Sequence, residues 1–191
     1  MQGPRERNHE SKSTVQQLDE LYQLIDGMQV AMLTTRRPDG QLVSRPMQTQ
    51  QRRPDIDLWF VTSDDTHKLD ELEHDPHVNV AYFNDKTREW VSVSGVAHLS
   101  RDRAKIHELY DRGWRAWLTD QGGERDGGPD DPRIILIMVD AQSVVYMKTD
   151  RSRPAVLYEV AKGVMSGRAP KVGDMHHLDK DELQHGHHRH H

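Results

Sequence analysis

The sequence has no cysteine among its 191 residues. Disulfides, thiolate nucleophiles and zinc–thiolate sites are therefore excluded. No apolar stretch approaches membrane-spanning length, and the N-terminus lacks the apolar region of a signal peptide. A chain without cysteine fits a reducing compartment. We therefore expect a cytoplasmic protein with no membrane partner.

An excess of positive charge is also missing. The formal net charge is −5, which argues against nonspecific binding to nucleic acid or anionic membranes. Hydrophobic residues are 34% of the chain and charged residues 30%, and part of this polarity lies at the two ends. Met1–Lys12 and Lys180–His191 show no apolar periodicity, so we expect both to be disordered. The predicted organisation is an N-terminal tail (1–13), one domain (14–171) and a His-rich C-terminal tail (172–191).

Hydrophobic periodicity predicts the order of helices and strands. Apolar residues at helical spacing indicate a first helix at Thr14–Asp26, with Ser13 and Gln16 as a capping box. Strand patterns follow at Val30–Thr35, Leu42–Gln50, Ile56–Thr62, Val78–Phe83, Val91–Leu99, Ile134–Val139 and Ser143–Lys148. Further helical segments are predicted at Thr66–His74, at Arg101–Asp111 with Ser100 as cap, at Trp114–Leu118, and between the cap Ser152 and Gly167.

This order differs from the strict alternation of strands and helices in a doubly wound sheet. The turn Arg37–Gly40 joins the first two strands as a hairpin. Gly95 interrupts a strand face and indicates a bulge or a barrel bend. The pattern therefore predicts a mostly antiparallel sheet that closes into a small barrel, with helices at its ends.

The segment Val61–Leu69 runs from a strand into a helix start and is the first candidate binding site. Its polar residues at this junction are Thr62, Ser63, Thr66, His67 and Lys68. A helix start offers unpaired N–H groups, and the hydroxyls and the ammonium add further donors, a combination that suits a phosphate. The alternative is an ordinary helix start capped by Asp64 or Asp65.

The segment Ser44–Gln48 on the second strand is the other candidate. The planar fork of Arg45 suits a phosphate because it donates two parallel hydrogen bonds. Pro46 is rare inside a central strand, so it indicates an edge, a bulge, or a backbone that faces a ligand. The alternative for Arg45 is an exposed arginine on an edge strand.

Together these segments resemble the flavin-binding split-barrel proteins related to pyridoxamine 5′-phosphate oxidase, and within them the bacterial general stress proteins. The matching segments are Ser44–Met47, Phe60–Ser63, Thr66–Lys68, Asp75–Val78, Trp90–Gly95, Asp102–Lys105, Trp114–Trp117 and Asp130–Pro132. The resemblance covers about Leu18–Lys171 and rests on the order and spacing of the segments. It implies a mostly β (α+β) fold, an antiparallel split β-barrel of about six strands flanked by helices.

The resemblance also implies an FMN site at a homodimer interface, with FAD as a second candidate flavin. The residues that it assigns to the flavin are Arg45, Pro46, Met47, Gln48, Val61, Thr62, Ser63, His67, Lys68, Trp90 and Trp117. Arg45, His67 and Lys68 would hold the phosphate, and the backbone of residues 46–48 would run along the flavin ring. Trp90 would reach the flavin from the other subunit, and Trp117 is a second candidate for that role. The alternative for both indoles is ordinary packing.

Three features depart from the patterns of the oxidases and of the general stress proteins. His67 stands where they carry arginine, so phosphate binding would weaken once the histidine is neutral. Met147 stands where many general stress proteins carry tryptophan. The substrate-binding arginine and histidine near the oxidase C-terminus have no match. The absence of this match argues against pyridoxamine phosphate oxidation as the activity.

The predicted function is that of a flavin-binding general stress protein, an FMN-dependent oxidoreductase whose substrate is not identified. The alternative is non-enzymatic binding and storage of flavin, and a third is haem or deazaflavin binding on the same barrel. No side chain is assigned as a general acid or base. No metal site is predicted, because the His-rich end is interpreted as an unfolded tail.

Overall fold

The computed structural model describes residues 13–53, 56–149 and 173–187. The strands in these ranges are β1 Val30–Arg36, β2 Leu42–Gln48, β3 Leu58–Ser63, β4 His77–Phe83, β5 Trp90–Ser100, β6 Ile134–Lys148 and β7 Asp174–Asp179. The helices are α1 Thr14–Gly27, α2 Lys68–His74, α3 Arg103–Leu109 and α4 Lys180–His187, with a 3₁₀ helix at Arg112–Ala116. None of these described helices has the length and apolar character needed to span a membrane.

The seven described strands form one antiparallel sheet in the order β2-β1-β4-β5-β6-β3, with β7 also paired to β6. The first part of β6 pairs with β3, and its last part pairs with β7. The two ends of the sheet touch without closing, where the Gln50 N–H donates to the Trp59 carbonyl at 3.2 Å. This arrangement confirms the predicted α+β split barrel, but it has seven strands, not about six, and the expected closure of the sheet was wrong.

Two apolar clusters lie on opposite faces of β3. Phe60 belongs to the larger cluster and Trp59 to the other, as expected for successive residues of a strand. The larger cluster packs α1 and α4 against the interior of the sheet. The second cluster packs α3 and the 3₁₀ helix against β3 and β6. The second cluster therefore determines where the 3₁₀ helix lies relative to the end of β3.

Two local predictions are confirmed. Ser13 Oγ accepts from the Gln16 N–H at 3.3 Å, and Gln16 Oε1 accepts from the Ser13 N–H at 3.1 Å, which is a capping box. The register of β5 against β6 shifts at Gly95, which is the expected bulge. A Cβ atom on Gly95 would collide with the Asp140 carbonyl, so glycine is required at this close approach of two strands.

Two element boundaries were predicted wrongly. α3 begins at Arg103, and its N-cap is Asp102, whose carboxylate accepts from the Ala104 N–H at 2.9 Å. The predicted cap Ser100 instead ends β5. β6 is one continuous strand and not two. The bulge leaves a single residue, Gln142, without a partner in β5, and the pairing continues on both sides of it.

Residues 174–183 are packed against the domain, although the sequence predicted a tail. β7 pairs with β6, and Leu178 and Leu183 are buried in the larger cluster. Glu182 Oε2 accepts from the Asp179 N–H at 3.0 Å, and Asp179 Oδ1 accepts from the Glu182 N–H at 3.1 Å. Two buried leucines are too few to produce a readable periodicity, which explains the error. The predicted N-terminal tail up to residue 12 and the helix expected after Ser152 lie outside the described residues.

Candidate functional site

An open cleft of about 820 Å³ lies where β2, β3 and the 3₁₀ helix meet. This volume is within the range of small-molecule sites. One wall is formed by Pro46–Gln51 and by Val61–Ser63 with the turn that follows them. The opposite wall is formed by the 3₁₀ helix and the residues up to Gln121. The cleft is therefore bounded by one strand edge and by one irregular segment.

The end of the cleft at β3 is rich in hydrogen-bond donors. The Lys68 ammonium donates to Thr62 Oγ1 at 2.7 Å. Ser63 Oγ is buried and has no hydrogen-bond partner among the described residues. An ammonium carries three N–H donors, and Thr62 takes only one of those on Lys68. The spare donors and the Ser63 hydroxyl fit an anionic oxygen at this position.

α2 does not begin as predicted. It starts at Lys68, and His67 occupies the N-cap position without a capping hydrogen bond from its side chain. Asp64 and Asp65 precede that position, so neither is the cap. Instead the Thr66 hydroxyl donates to the Ser63 carbonyl at 3.0 Å and stabilises the turn between β3 and α2. His67 is exposed and does not line the cleft.

The electrostatics of Lys68 are unusual for a lysine. Burial lowers the pKa of its ammonium from the ordinary value, and the nearby charge of Arg45 lowers it further. Asp65 and Glu71 act in the opposite direction. A half-buried cation is stabilised more by a bound anion than a fully hydrated cation is. Lys68 is therefore suited to hold a phosphate.

Arg45 does not line the cleft, although the sequence placed it among the binding residues. Its Nη1 donates to Thr35 Oγ1 at 2.8 Å, and its Nη2 donates to Glu71 Oε2 at 2.7 Å. The Thr35 hydroxyl donates to the same Glu71 oxygen at 2.5 Å. Thr35 is 1% exposed and Glu71 6% exposed. The guanidinium is therefore fixed to α2 by a buried carboxylate.

Glu71 is ionised in this network. Its burial raises the pKa of the carboxyl, but the hydrogen bonds from Thr35 and Arg45 outweigh that effect and bring the pKa below its ordinary value. An ionised carboxylate that is buried needs a paired cation, and Arg45 supplies it.

β2 presents its edge to the cleft, as the proline predicted. Among the described strands β2 is the terminal one, so no described ladder on its outer side loses a hydrogen bond to Pro46. Pro46, Met47 and Gln48 all line the cleft. A planar ligand can therefore lie against this part of the backbone.

The 3₁₀ helix places two indoles differently. Trp114 is 5% exposed, packs edge-on against Trp59 with ring centroids 6.1 Å apart, and donates to Gln50 Oε1 at 2.9 Å. Trp117, one turn later, is 81% exposed at the rim of the cleft. Trp114 therefore anchors the helix, and Trp117 is available to a ligand.

A buried ion pair supports the wall beyond the 3₁₀ helix. Arg133 Nη2 lies 2.7 Å from Asp131 Oδ2, and it also donates to the Thr119 carbonyl at 3.0 Å. The Gly127 N–H donates to Asp131 at 2.8 Å. Burial raises the pKa of Asp131, but hydrogen bonds from Arg133 and Gly127 outweigh it and lower the pKa to about 2. The pair therefore holds both ends of the loop 119–131.

The structure brings most of the predicted binding residues to the cleft. Those that line it are Pro46, Met47, Gln48, Val61, Thr62, Ser63, Lys68 and Trp117. Arg45, His67 and Trp90 are not among its lining residues. Trp90 pairs with Met147 near the C-terminal end of β6. Ser63, which lines the cleft, pairs with Ile134 at the opposite end of the same strand.

Sequence reasoning missed several lining residues on the second wall. These are Asp111, Gly113, Trp114, Leu118, Thr119, Gln121 and Arg133. The signal for Trp114 was present, because Trp114–Trp117 was one of the matching segments. The others lie in irregular structure, where no periodicity indicates which side chains converge.

Comparison with known proteins decides the family. The family described as Pyridoxamine 5'-phosphate oxidase like matches residues 16–171. The chain belongs to this pyridoxamine 5′-phosphate oxidase-like family. Protein bli-3 from Neurospora crassa is 33% identical over 172 residues, which cover 88% of this chain and 82% of that protein.

Solved structures in this family share the fold. A Clostridium acetobutylicum protein related to general stress protein 26 has a TM-score of 0.64 at 15% identity, covering 88% of this chain and 98% of that chain. The general stress FMN/FAD binding protein from Xanthomonas citri has a TM-score of 0.57 at 24% identity, covering 70% of this chain and 89% of that chain. These similarities confirm that the pyridoxamine 5′-phosphate oxidase-like chain has a split-barrel fold.

Proposed function

We propose that the cleft binds FMN, with its phosphate at Lys68 and Ser63 and its ring along β2. The observation that carries this proposal is that one cleft is lined both by the buried Ser63 hydroxyl, which has no hydrogen-bond partner among the described residues, and by the Lys68 ammonium. A buried donor without a partner is costly unless a ligand completes it. Thr62 orients the ammonium toward this corner.

The remainder of the cleft fits the rest of a flavin. The edge of β2 offers backbone groups around Pro46–Gln48, and Trp117 offers an exposed aromatic face on the other side. Apolar walls with a few placed polar groups are typical of cofactor sites. The Xanthomonas citri neighbour, described as binding FMN or FAD, supports the same class of ligand.

We propose that two copies of the chain form a homodimer through the outer face of β1, β2 and β4. Val30 and Met32 on this face are 50% and 41% exposed, and Phe83 is 59% exposed. Met32 lies opposite Pro46 in the sheet register, so this apolar face continues into the cleft. A second copy would cover the face and bring its Trp90 toward the neighbouring cleft. Light scattering of the flavin-loaded protein tests the mass.

A bound flavin would supply hydride and electron transfer, and the protein would bind and orient it. Lys68 and Ser63 would hold the phosphate, and the buried walls around Trp114 would limit water. We propose an oxidoreductase role on a substrate that is not yet identified, in the cytoplasm. The mismatch of the oxidase substrate residues places pyridoxamine phosphate oxidation outside this proposal.

Flavin storage is the second candidate function. No histidine, tyrosine, cysteine or glutamate occurs among the described residues that line the cleft. Two of its ionisable groups, Asp111 and Arg133, are already bonded to neighbouring backbone. Of the ionisable groups among the described lining residues, only Asp65 and Lys68 remain, and the proposed phosphate site uses Lys68, which favours binding over turnover.

Two measurements test these functions. The absorption spectrum of the purified protein should show bound flavin, and titration should give about one FMN per chain. Anaerobic addition of NADH or NADPH, followed by a screen of electron acceptors, then separates the two roles. Reduction with turnover supports the oxidoreductase, and binding without reduction by either donor supports storage. Absence of flavin binding at micromolar FMN would refute both.

A further inference from the structure

Two cations meet at the anion-binding end of the cleft. Lys68 faces the cleft, and the Arg45 guanidinium lies behind it, close enough for its charge to disfavour the ammonium. Two like charges that are partly withdrawn from water repel each other more strongly than on an open surface. The arrangement therefore needs a negative charge that belongs to the protein itself.

We infer that Glu71 is a positioning residue of this end of the cleft: its carboxylate holds Arg45 behind Lys68 and balances the charge of the two cations. The inference rests on the flavin phosphate site proposed above. It adds a residue to which the family resemblance assigns no role.

The contacts of Glu71 support both parts of this role. Its Oε2 atom accepts from Arg45 and from Thr35, so the carboxylate and the guanidinium are fixed to each other. Glu71 and Lys68 are three residues apart on α2, a spacing at which side chains are neighbours. One carboxylate therefore acts on both cations, through contact with Arg45 and through its charge on Lys68.

The other charges around Lys68 do not replace Glu71. The groups that act on it are Arg45 from β2, Asp65 from the turn before α2, and Glu71 from α2 itself. Asp65 also favours the charged ammonium, but it is exposed, so solvent and salt screen its effect. Arg37 acts on Glu71 from the far side. Glu71 is therefore the buried counter-charge of the pair.

The ratio of FMN affinity to riboflavin affinity isolates this end of the cleft, because the two ligands differ only in the phosphate. In the wild-type protein the ratio should fall as the pH rises through the Lys68 pKa. Glu71→Gln keeps a hydrogen-bond acceptor but removes the charge, so the pKa falls. The midpoint, the pH at which the affinity ratio has fallen halfway, should then move down by roughly a few tenths of a pH unit. This shift is smaller than the ~1–3 units by which a charge in direct contact changes a pKa.

Asp70→Asn is the matched control, since it removes the same charge from an exposed neighbour on α2. The midpoint of Asp70→Asn should equal that of the wild-type protein. The midpoint of Glu71→Asp, which keeps a carboxylate at this position, should lie closer to the wild-type value than that of Glu71→Gln. A purely structural role would lower the ratio equally at every pH and leave the midpoint unchanged.

The possible results distinguish failure of the Glu71 role from failure of the proposed phosphate site. A wild-type protein that binds FMN no better than riboflavin at any pH refutes the phosphate site, and the inference with it. A normal wild-type profile, with the same midpoint in Glu71→Gln and Asp70→Asn, overturns only the role of Glu71. If Glu71→Gln does not fold, the double variant Arg45→Met/Glu71→Gln, which removes both charges of the buried pair, replaces it and is compared with Arg45→Met. The midpoint should be lower in the double variant than in Arg45→Met, and equal midpoints overturn the inference.

Discussion

The Lys68 ammonium lies 2.7 Å from Thr62 Oγ1, so a helix residue and a strand residue together orient the cation at the end of the cleft. Thr62 is 7% exposed, and its backbone is paired with Ile135 in the sheet. The position of the charge is therefore set by the junction of β3 and α2, and this relationship leads to the first prediction.

Lys68→Met should weaken FMN binding by about 1.5–3 kcal/mol, the scale of a charge-assisted hydrogen bond. Riboflavin affinity should change little, because riboflavin has no phosphate. Isothermal titration measures both ligands, and Lys86→Met in an exposed turn is the control. Equal FMN affinity in the two variants would show that the phosphate lies elsewhere. Arg45→Ala should weaken FMN binding by less than Lys68→Met, because Arg45 does not line the cleft and acts on the phosphate only through its charge.

Ser63→Ala should separate binding from stability. The hydroxyl has no hydrogen-bond partner among the described residues, so its removal should leave the free energy of unfolding of the ligand-free protein unchanged or slightly higher. FMN affinity should fall by about 1 kcal/mol, since the ligand loses one donor. Thermal unfolding and titration measure the two effects. A large loss of stability in the ligand-free protein would mean that the hydroxyl has a structural partner.

The two indoles of the 3₁₀ helix should behave differently when truncated. Trp114→Ala should lower the free energy of unfolding by about 3–5 kcal/mol, because the ring is buried against Trp59 and Tyr110. Trp117→Ala should change it by less than about 0.5 kcal/mol, because the ring is exposed. Only the second variant is then suitable for flavin titration, where weaker binding is expected. Unchanged affinity would remove Trp117 from the site.

The Asp131–Arg133 pair should make stability depend on pH in acid. The folded-state pKa of Asp131 is lowered to about 2, below the ~3.9 of an unfolded aspartate. The contribution of the ionised Asp131 carboxylate to the free energy of unfolding is therefore complete above about pH 4 and is lost as the pH falls toward 2. Asp131→Asn should cost about 3–5 kcal/mol at pH 7, because it leaves Arg133 buried without a counter-charge. Urea unfolding at pH 7 and pH 3 measures the difference in free energy of unfolding between the wild-type protein and Asp131→Asn. A difference that is as large at pH 3 as at pH 7 would contradict the prediction.

FAD should bind more weakly than FMN. Asp65 and Asp111 line the cleft, and Asp120, Glu124 and Asp126 lie in the loop beyond it, so a second phosphate would meet negative charge. Salt screens exposed charges, and the difference should therefore narrow as ionic strength rises. Competition titrations at two salt concentrations measure it. Tighter binding of FAD at both concentrations would overturn this picture of the cleft.

Strand positions were largely predictable from the sequence, because half-buried strands alternate apolar and polar residues. β1 and β4 begin within one residue of the prediction, and the bulge at Gly95 was visible as an interruption of the pattern. β6 was predicted as two strands because a bulge breaks the period without ending the pairing. Asp179 and Glu182, three residues apart, form a capping box at the start of α4, and this spacing is a helix-start signal in the sequence.

The roles of individual site residues were less predictable. A guanidinium fork suits a carboxylate as well as a phosphate, so the sequence cannot show that Arg45 bonds to Glu71, 26 residues later. Only the packing of α2 beside β1 and β2 decides between the two partners. Trp114 and Trp117 likewise look equivalent in the sequence, and one turn of 3₁₀ helix makes one an anchor and the other a rim residue.

The pairing of β7 with β6 has a consequence for self-association. The stretch Val144–Met147 is an apolar strand segment, and such a segment with a bare edge would be a template for another chain. β7 covers that edge and begins and ends with aspartate, so the outermost strand carries charges that repel further strand addition. The C-terminal strand thus covers an edge of the sheet that would otherwise be open to strand addition.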